Sequence, residues 1–246
     1  MSVISLKNAS LQFGEHKLWQ NLNLEVQPGE FVVVLGPNGS GKTSLLKRLL
    51  EDHADQCIGY IPQHRGFDED TAIRGYDLVR FGLDGHKYGV GFGKKKVVDK
   101  AIKAVGAEDF AGKPLGKLSG GQQQRLRVAQ ALVEDPSILL CDEPLLSLDL
   151  TQQQIVSKLI NKRRTKHNTA VVFVTHDINP ILPMVDKVLY LVGEKWLLGT
   201  PQEILTTKTL SKLYGSPVEV LNIHGRLVVL GAEDSLHAEA LGGHHE

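Results

Sequence analysis

Gly36-Pro37-Asn38-Gly39-Ser40-Gly41-Lys42-Thr43 fits the spacing G-x-x-x-x-G-K-[ST]. Glycines let a backbone wrap closely about an anion. Successive N–H groups then point inward at the mouth of a helix whose dipole favours negative charge. In such a loop Lys42 reaches the β- and γ-phosphates of a nucleotide triphosphate, and the Thr43 hydroxyl ligates Mg2+. The chemistry requires a strand before the loop and a helix after it. Phe31-Val32-Val33-Val34-Leu35 is a run suited to a parallel strand buried on both faces, and Ser44 to Leu50 carries helical spacing. A Gly-rich turn without a ligand is the plain alternative for the octet taken alone.

Two carboxylates suit the same reaction. Ile138-Leu139-Leu140-Cys141 reads as a second buried strand that delivers Asp142 and Glu143 to its carboxyl end, where open α/β sheets bind ligands. Neighbouring residues on a strand face opposite ways, which separates their tasks. Asp142 is expected to hold Mg2+ through water, and Glu143 to polarise the attacking water. The competing reading is an acidic pair capping a surface strand. Four apolar residues running straight into Asp-Glu-Pro argue against it.

A third element, Leu118-Ser119-Gly120-Gly121-Gln122, offers a second anion site: a hydroxyl, two glycines and the start of a helix through Val128 to Leu132. With Gln63 before it and His176 after the carboxylates, the set resembles the ATP-binding-cassette (ABC) ATPase family over most of the chain. The resemblance implies that Ser119, Gly120, Gly121 and Gln122 of one subunit close over the γ-phosphate held by the Gly36–Thr43 loop of another. It implies that Gln63, in Gly59-Tyr60-Ile61-Pro62-Gln63, senses Mg2+ and touches a membrane partner. Asp149, in Ser147-Leu148-Asp149, would reach across the dimer. His176, after the apolar run Val171 to Val174, would contact the γ-phosphate, and Phe13 would stack on adenine. ATP and Mg2+ are the cofactors so implied.

The fold implied is α/β: a P-loop NTPase of ABC type, with a mixed sheet core, an antiparallel β-subdomain and an inserted helical subdomain at about 66–134. This domain spans 1–215, and a C-terminal hairpin and flexible tail occupy 216–246. The residues agree in outline. Val3 to Leu6 and Leu22 to Val26 alternate as antiparallel strands, with a turn near Gly14-Glu15-His16 and another at Pro28-Gly29. Helical patterns cover Ala72 to Phe81 and Val97 to Val105, with a Gly-rich loop from Gly82 to Gly93 between them. Val188 to Val192 reads as a strand, Pro201 opens a helix, and Val218–Leu221 with Arg226–Leu230 suits a hairpin. One departure from the family stands out: the hairpin that usually separates the P-loop helix from the Gln63 strand is shortened or absent.

Composition excludes several classes. The 246 residues are 41% hydrophobic and 23% charged, which suits one large α/β domain with an appendage. Equal counts of basic and acidic residues, 28 each, argue against a broad nucleic-acid or anionic-lipid footprint. Lys94-Lys95-Lys96 reads as a solvated helix start. No apolar run approaches the roughly 20 residues that span a bilayer, and Met1 to Leu6 lacks a signal-peptide layout. The expected place is therefore cytoplasmic, peripheral on the inner face of the cell membrane. Cys57 and Cys141 provide no disulfide framework.

Within the family, Ile58-Gly59-Tyr60-Ile61-Pro62-Gln63 and Leu210 to Val218 are similar to the ATPase subunits of importers for zinc, manganese or chelated iron. That resemblance implies a homodimer of ATPase subunits, integral membrane permease subunits, an extracytoplasmic solute-binding protein and no nucleic acid. A soluble assembly ATPase, or an importer of another solute, remains the alternative. His237, His244 and His245 are read as part of a solvated tail, with too few fixed ligands for a metal site.

Overall fold

The structure is a computed structural model, and it describes residues 2–13, 16–63, 66–84 and 93–231. In chain order the elements are β1 (Ile4–Phe13), β2 (His16–Val26), β3 (Phe31–Leu35), α1 (Lys42–Asp52), β4 (Ile58–Ile61), α2 (Gly75–Asp84), α3 (Gly93–Ala104), α4 (Gly120–Leu132), β5 (Ile138–Asp142), α5 (Leu150–His167), β6 (Ala170–Val174), β7 (Lys187–Val192), β8 (Lys195–Gly199), α6 (Pro201–Ile204), α7 (Thr207–Tyr214), β9 (Val218–Ile223) and β10 (Arg226–Gly231). The chain divides into two compact units. One holds the residues up to Ser5, Glu25–Phe31 and Thr43–Thr175. The other holds, among the described residues, those within Leu6–Leu24, Val32–Lys42 and from His176 to Gly231.

In the first unit β4, β5 and β6 lie side by side and parallel, with Ile61 opposite Cys141 and Asp142 opposite Val174. Every residue of β5 and β6 is buried, as continuous apolar runs require when both faces of a parallel sheet are covered. The turn of α1 into β4 takes only residues 53–57. Among the described residues no strand stands between them, so the shortened segment leads directly into parallel pairing with β5.

The helical part of this unit departs from the periodicity reading. Helix α2 begins at Gly75, not Ala72. The chain leading into it is bound instead to 113–115: Arg74 bridges Pro114, Leu115 N–H donates to Ile73 O, and Gly75 N–H donates to Lys113 O. Backbone partners from a distant segment override local helical spacing here. The helix also runs through Gly82, which the sequence reading assigned to a loop. A Cβ on Gly82 would stand 2.6 Å from Gln130 O, so glycine there lets α2 and α4 approach closely. The rest of the expected Gly-rich loop, residues 85–92, lies outside the described residues.

In the second unit β3 pairs parallel with β7, and β8 returns antiparallel along β7. Most of β1 and β2 belongs here as a two-stranded sheet. Both strands run longer than the sequence reading. Asn8 and Asn21 interrupt each at φ +50, and each N–H is taken by a side-chain oxygen, Asn23 Oδ1 at 2.9 Å and Ser10 Oγ at 3.1 Å. Strands β9 and β10 form the expected hairpin. Its turn places His224 at φ +50 and Gly225 at φ +82, the doubly left-handed geometry that suits the twist of paired strands.

Candidate active site

The second unit carries Gly36 to Lys42. Strand β3 is wholly buried and releases the loop at its carboxyl end. Lys42 is only 7% exposed, and its ammonium is held over its own loop by Gly36 O and Pro37 O, each at 2.8 Å. The loop closes with a turn from Ser40 N–H to Pro37 O at 3.3 Å. Gly41 sits at φ +88, and a Cβ there would stand 3.0 Å from both Trp19 Nε1 and Leu18 Cδ1. Trp19 is completely buried. It is a supporting residue that sequence reasoning missed, because an aromatic in an alternating strand carries no sign of what it packs under.

His176 is in the same unit, exposed just after β6. It shares a cavity of about 280 Å3 with Gly36, Pro37, Asp177 and Tyr190, so the start of the Gly36–Thr43 loop and the histidine expected to contact the γ-phosphate come together. Phe13 closes β1, and its side chain lies outside the described residues. The three tail histidines lie outside them as well.

The first unit carries Thr43, Asp142, Glu143 and Gln63. Asp142 ends β5 with 2% exposure, and Thr43 donates its hydroxyl to Asp142 Oδ1 at 3.2 Å. Two hard oxygen donors side by side fit Mg2+, which takes carboxylate and hydroxyl oxygens in an octahedral shell. Tyr60, on β4, bonds the same carboxylate. Burial first, and then the Asp142 charge and hydrogen bond, push its phenol up to about 12, so it stays a neutral donor at ordinary pH. Tyr60 was legible only as a strand residue before Gln63. Nothing in the sequence shows that β4 lies against β5.

Glu143 corrects one expectation. It is not the next residue of a pleated strand. Strand β5 ends at Asp142, and Glu143 turns to φ +46 with its N–H donated to Val174 O at 3.0 Å. Pro144 has no N–H with which to continue the ladder, so a turn rather than the pleat separates the two carboxylates. Gln63 is exposed just beyond β4. The division between the units falls at the Lys42–Thr43 peptide bond, inside the octet.

The Ser119 segment forms a separate corner of the first unit. Ser119 caps α4 in a capping box: its Oγ accepts Gln122 N–H at 3.3 Å, and Gln122 Oε1 accepts Ser119 N–H at 3.0 Å. The Ser119 hydroxyl hydrogen is thereby left to donate elsewhere. Asp149 caps α5 by accepting Gln152 N–H at 2.8 Å. These two helix starts touch, since a Cβ on Gly121 would stand 2.3 Å from Gln152 Oε1. Ser119, Gly120 and Asp149 are all exposed. Gln123, buried next to this corner, donates to Leu115 O and Leu118 O and accepts Phe67 N–H at 3.2 Å. It links the start of α4 to the segment that follows Gln63, a role the sequence alone did not disclose.

Residues 19–146 match the ABC transporter family. The chain belongs to that family. It is 30% identical to the manganese transport system ATP-binding protein MntB of Halalkalibacterium halodurans, over 86% of this chain and 92% of that one. It is 32% identical to the zinc import ATP-binding protein ZnuC of Photorhabdus laumondii, over 87% of this chain and 84% of that one. Among solved structures, a metal-chelate type ABC transporter in an inward-facing conformation has a TM-score of 0.80 at 28% identity, covering 94% of this chain and 96% of that one. A dimeric ATP-binding cassette with ADP and Pi bound has a TM-score of 0.65 at 26% identity, over 80% of this chain and 98% of that one. The ABC fold expected from the motifs is thus the fold of the chain, an α/β P-loop ATPase.

Proposed function

We propose that this chain is the ATP-hydrolysing subunit of an ABC importer whose cargo is a metal ion, zinc or manganese, or an iron chelate. The observation that carries the ATPase reading is the Thr43–Asp142 contact at 3.2 Å, which gathers the metal-binding hydroxyl and carboxylate at the end of β5. The cargo reading is supported by similarity to proteins named for manganese and zinc import over most of both chains.

The N–H groups of Gly36 to Thr43 and the Lys42 ammonium hold the phosphates of ATP. Thr43 and Asp142, with Gln63, are the residues to hold Mg2+, which supplies charge neutralisation on the phosphate oxygens when bound. Glu143 orients the attacking water and accepts its proton. His176 is the residue to steady the γ-phosphate. Phe13 packs on the adenine ring. Ser119, Gly120 and Asp149 are exposed and Gln122 is half-buried, as an anion site offered to a second copy requires, with Gly121 buried against Gln152. Two copies would then enclose two nucleotides, and hydrolysis would part them.

No helix among the described residues is long and apolar enough to cross a membrane. In the importer reading the transport path belongs to integral membrane permease subunits, with this chain on the cytoplasmic face and an extracytoplasmic binding protein choosing the solute. A detergent pull-down from native membranes tests the assignment. Recovery of a polytopic partner supports it, and its loading with zinc, manganese or an iron chelate would fix the cargo. Recovery of soluble partners alone overturns the transport reading.

A further inference from the structure

A polar bridge ties the C-terminal hairpin to the segment that carries His176. Asn179 Nδ2 donates to Leu227 O at 3.0 Å, and Asn179 Oδ1 accepts Leu227 N–H at 2.8 Å. The side-chain amide mates with one peptide of β10 through donor and acceptor together, as a neighbouring strand would. Rotating the amide by half a turn would set donor against donor, so both bonds depend on one orientation. The N–H and Nδ2 of the same residue donate to Asp177 Oδ1 at 2.9 and 2.8 Å. Asp177 directly follows His176.

The hairpin is itself anchored. Ser211 Oγ, on α7, donates to Val218 O at 2.9 Å and accepts Val218 N–H at 3.0 Å, while Thr207 Oγ1 accepts Val220 N–H at 2.9 Å. Leu227 and Val229 wall the same cavity as His176, Gly36 and Pro37. A continuous set of bonds therefore runs from α7 through β9 and β10 to Asn179, Asp177 and the backbone of His176. An exposed histidine on a loop has many rotamers and loop positions open to it. Every bond in this set narrows them.

We propose that Asn179 is a positioning residue for His176, and that the β9–β10 hairpin works through it to hold the histidine against the start of the phosphate loop. The inference rests on the reading of His176 as the γ-phosphate contact. Asn179→Ala removes the clamp from one side. Leu227→Pro removes it from the other, deleting the N–H that Asn179 accepts while leaving Asn179 in place.

The experiment is steady-state ATPase kinetics on full-length Asn179→Ala, Leu227→Pro, the double variant and His176→Ala, with Ile223→Ala, exposed at the hairpin end, as control. Each single clamp variant should lose about tenfold in kcat with KM for ATP within about twofold, the pattern of an interaction needed in the reaction and not in binding. The double variant should be no slower than either single one, because both remove the same pair. Normal kcat, a loss confined to KM, or multiplying losses overturns the inference. If Asn179→Ala fails to fold by circular dichroism, Leu227→Pro decides by the same kcat and KM criterion. Normal turnover in His176→Ala removes the histidine reading and this inference with it, whereas slow His176→Ala beside normal clamp variants removes only the inference.

Discussion

Thr43 and Asp142, 99 positions apart, meet at 3.2 Å through a hydroxyl-to-carboxylate hydrogen bond, and Tyr60 bonds the same carboxylate from β4. The carboxylate proposed to hold Mg2+ is thus oriented from two sides. Partners of this kind typically change metal affinity by about 10–100-fold. Tyr60→Phe should raise the Mg2+ concentration for half-maximal ATPase activity by about tenfold and leave ATP binding without metal unchanged. A Mg2+ titration of activity, with Mn2+ binding followed by electron paramagnetic resonance, checks this. An unshifted titration would show that Tyr60 only fills space.

Glu143 stands in its turn at φ +46, its N–H bonded to Val174 O, so Glu143→Gln keeps the shape and removes the proposed base. Turnover should fall by about 10²–10⁴-fold, the usual range for a general base. ATP should then trap a dimer visible by light scattering. A variant that stays monomeric with ATP would count against the two-copy mechanism.

Gly41→Ala places a methyl group 3.0 Å from Trp19 Nε1 and Leu18 Cδ1 at φ +88. Left-handed backbone costs an L-residue about 1–2 kcal/mol, and 1.4 kcal/mol is about tenfold in affinity. ATP affinity by calorimetry should drop by about 5–30-fold. Unchanged affinity would mean that the loop adapts and that Trp19 does not constrain it.

Asp135 offers a pH test remote from the site. The Arg163 hydrogen bond and charge hold its carboxyl below the usual range. A depressed folded-state pKa contributes stability that is complete above the unfolded value, here 3.8, and lost as pH falls through the lower folded value. The carboxylate is 71% exposed, so solvent screening limits the effect to less than about 1 kcal/mol. Asp135→Asn suits the left-handed φ of +59. It should lower Tm slightly at pH 7 and not at pH 2; a loss of equal size at both would refute an ionic origin.

The reaction was legible from residue types in order. The octet, the run into Asp142-Glu143, Ser119 to Gln122 and His176 each combine a chemical group with a local element that presents it, and both are encoded within a few positions. Strands β5 and β6 were equally plain, because burial on both faces admits only an unbroken apolar run. The start of α2 was not: spacing alone favoured Ala72, and only backbone bonds to 113–115 reveal why the helix waits until Gly75. Gly82 misled for a related reason, since a glycine that admits a neighbouring helix looks in sequence like one that opens a loop.

The sequence by itself determined that this chain binds and hydrolyses ATP as an ABC ATPase, because a phosphate cradle and its carboxylates are built from contiguous residues and their own backbone. Tertiary structure alone decided which distant segments meet around the residues proposed for that chemistry. Trp19 under Gly41, Tyr60 on Asp142, Gln123 on Phe67 and Asn179 on Leu227 are contacts between segments far apart in the chain. Each depends on strand register or helix packing, and a side chain's type does not say which distant backbone it will meet.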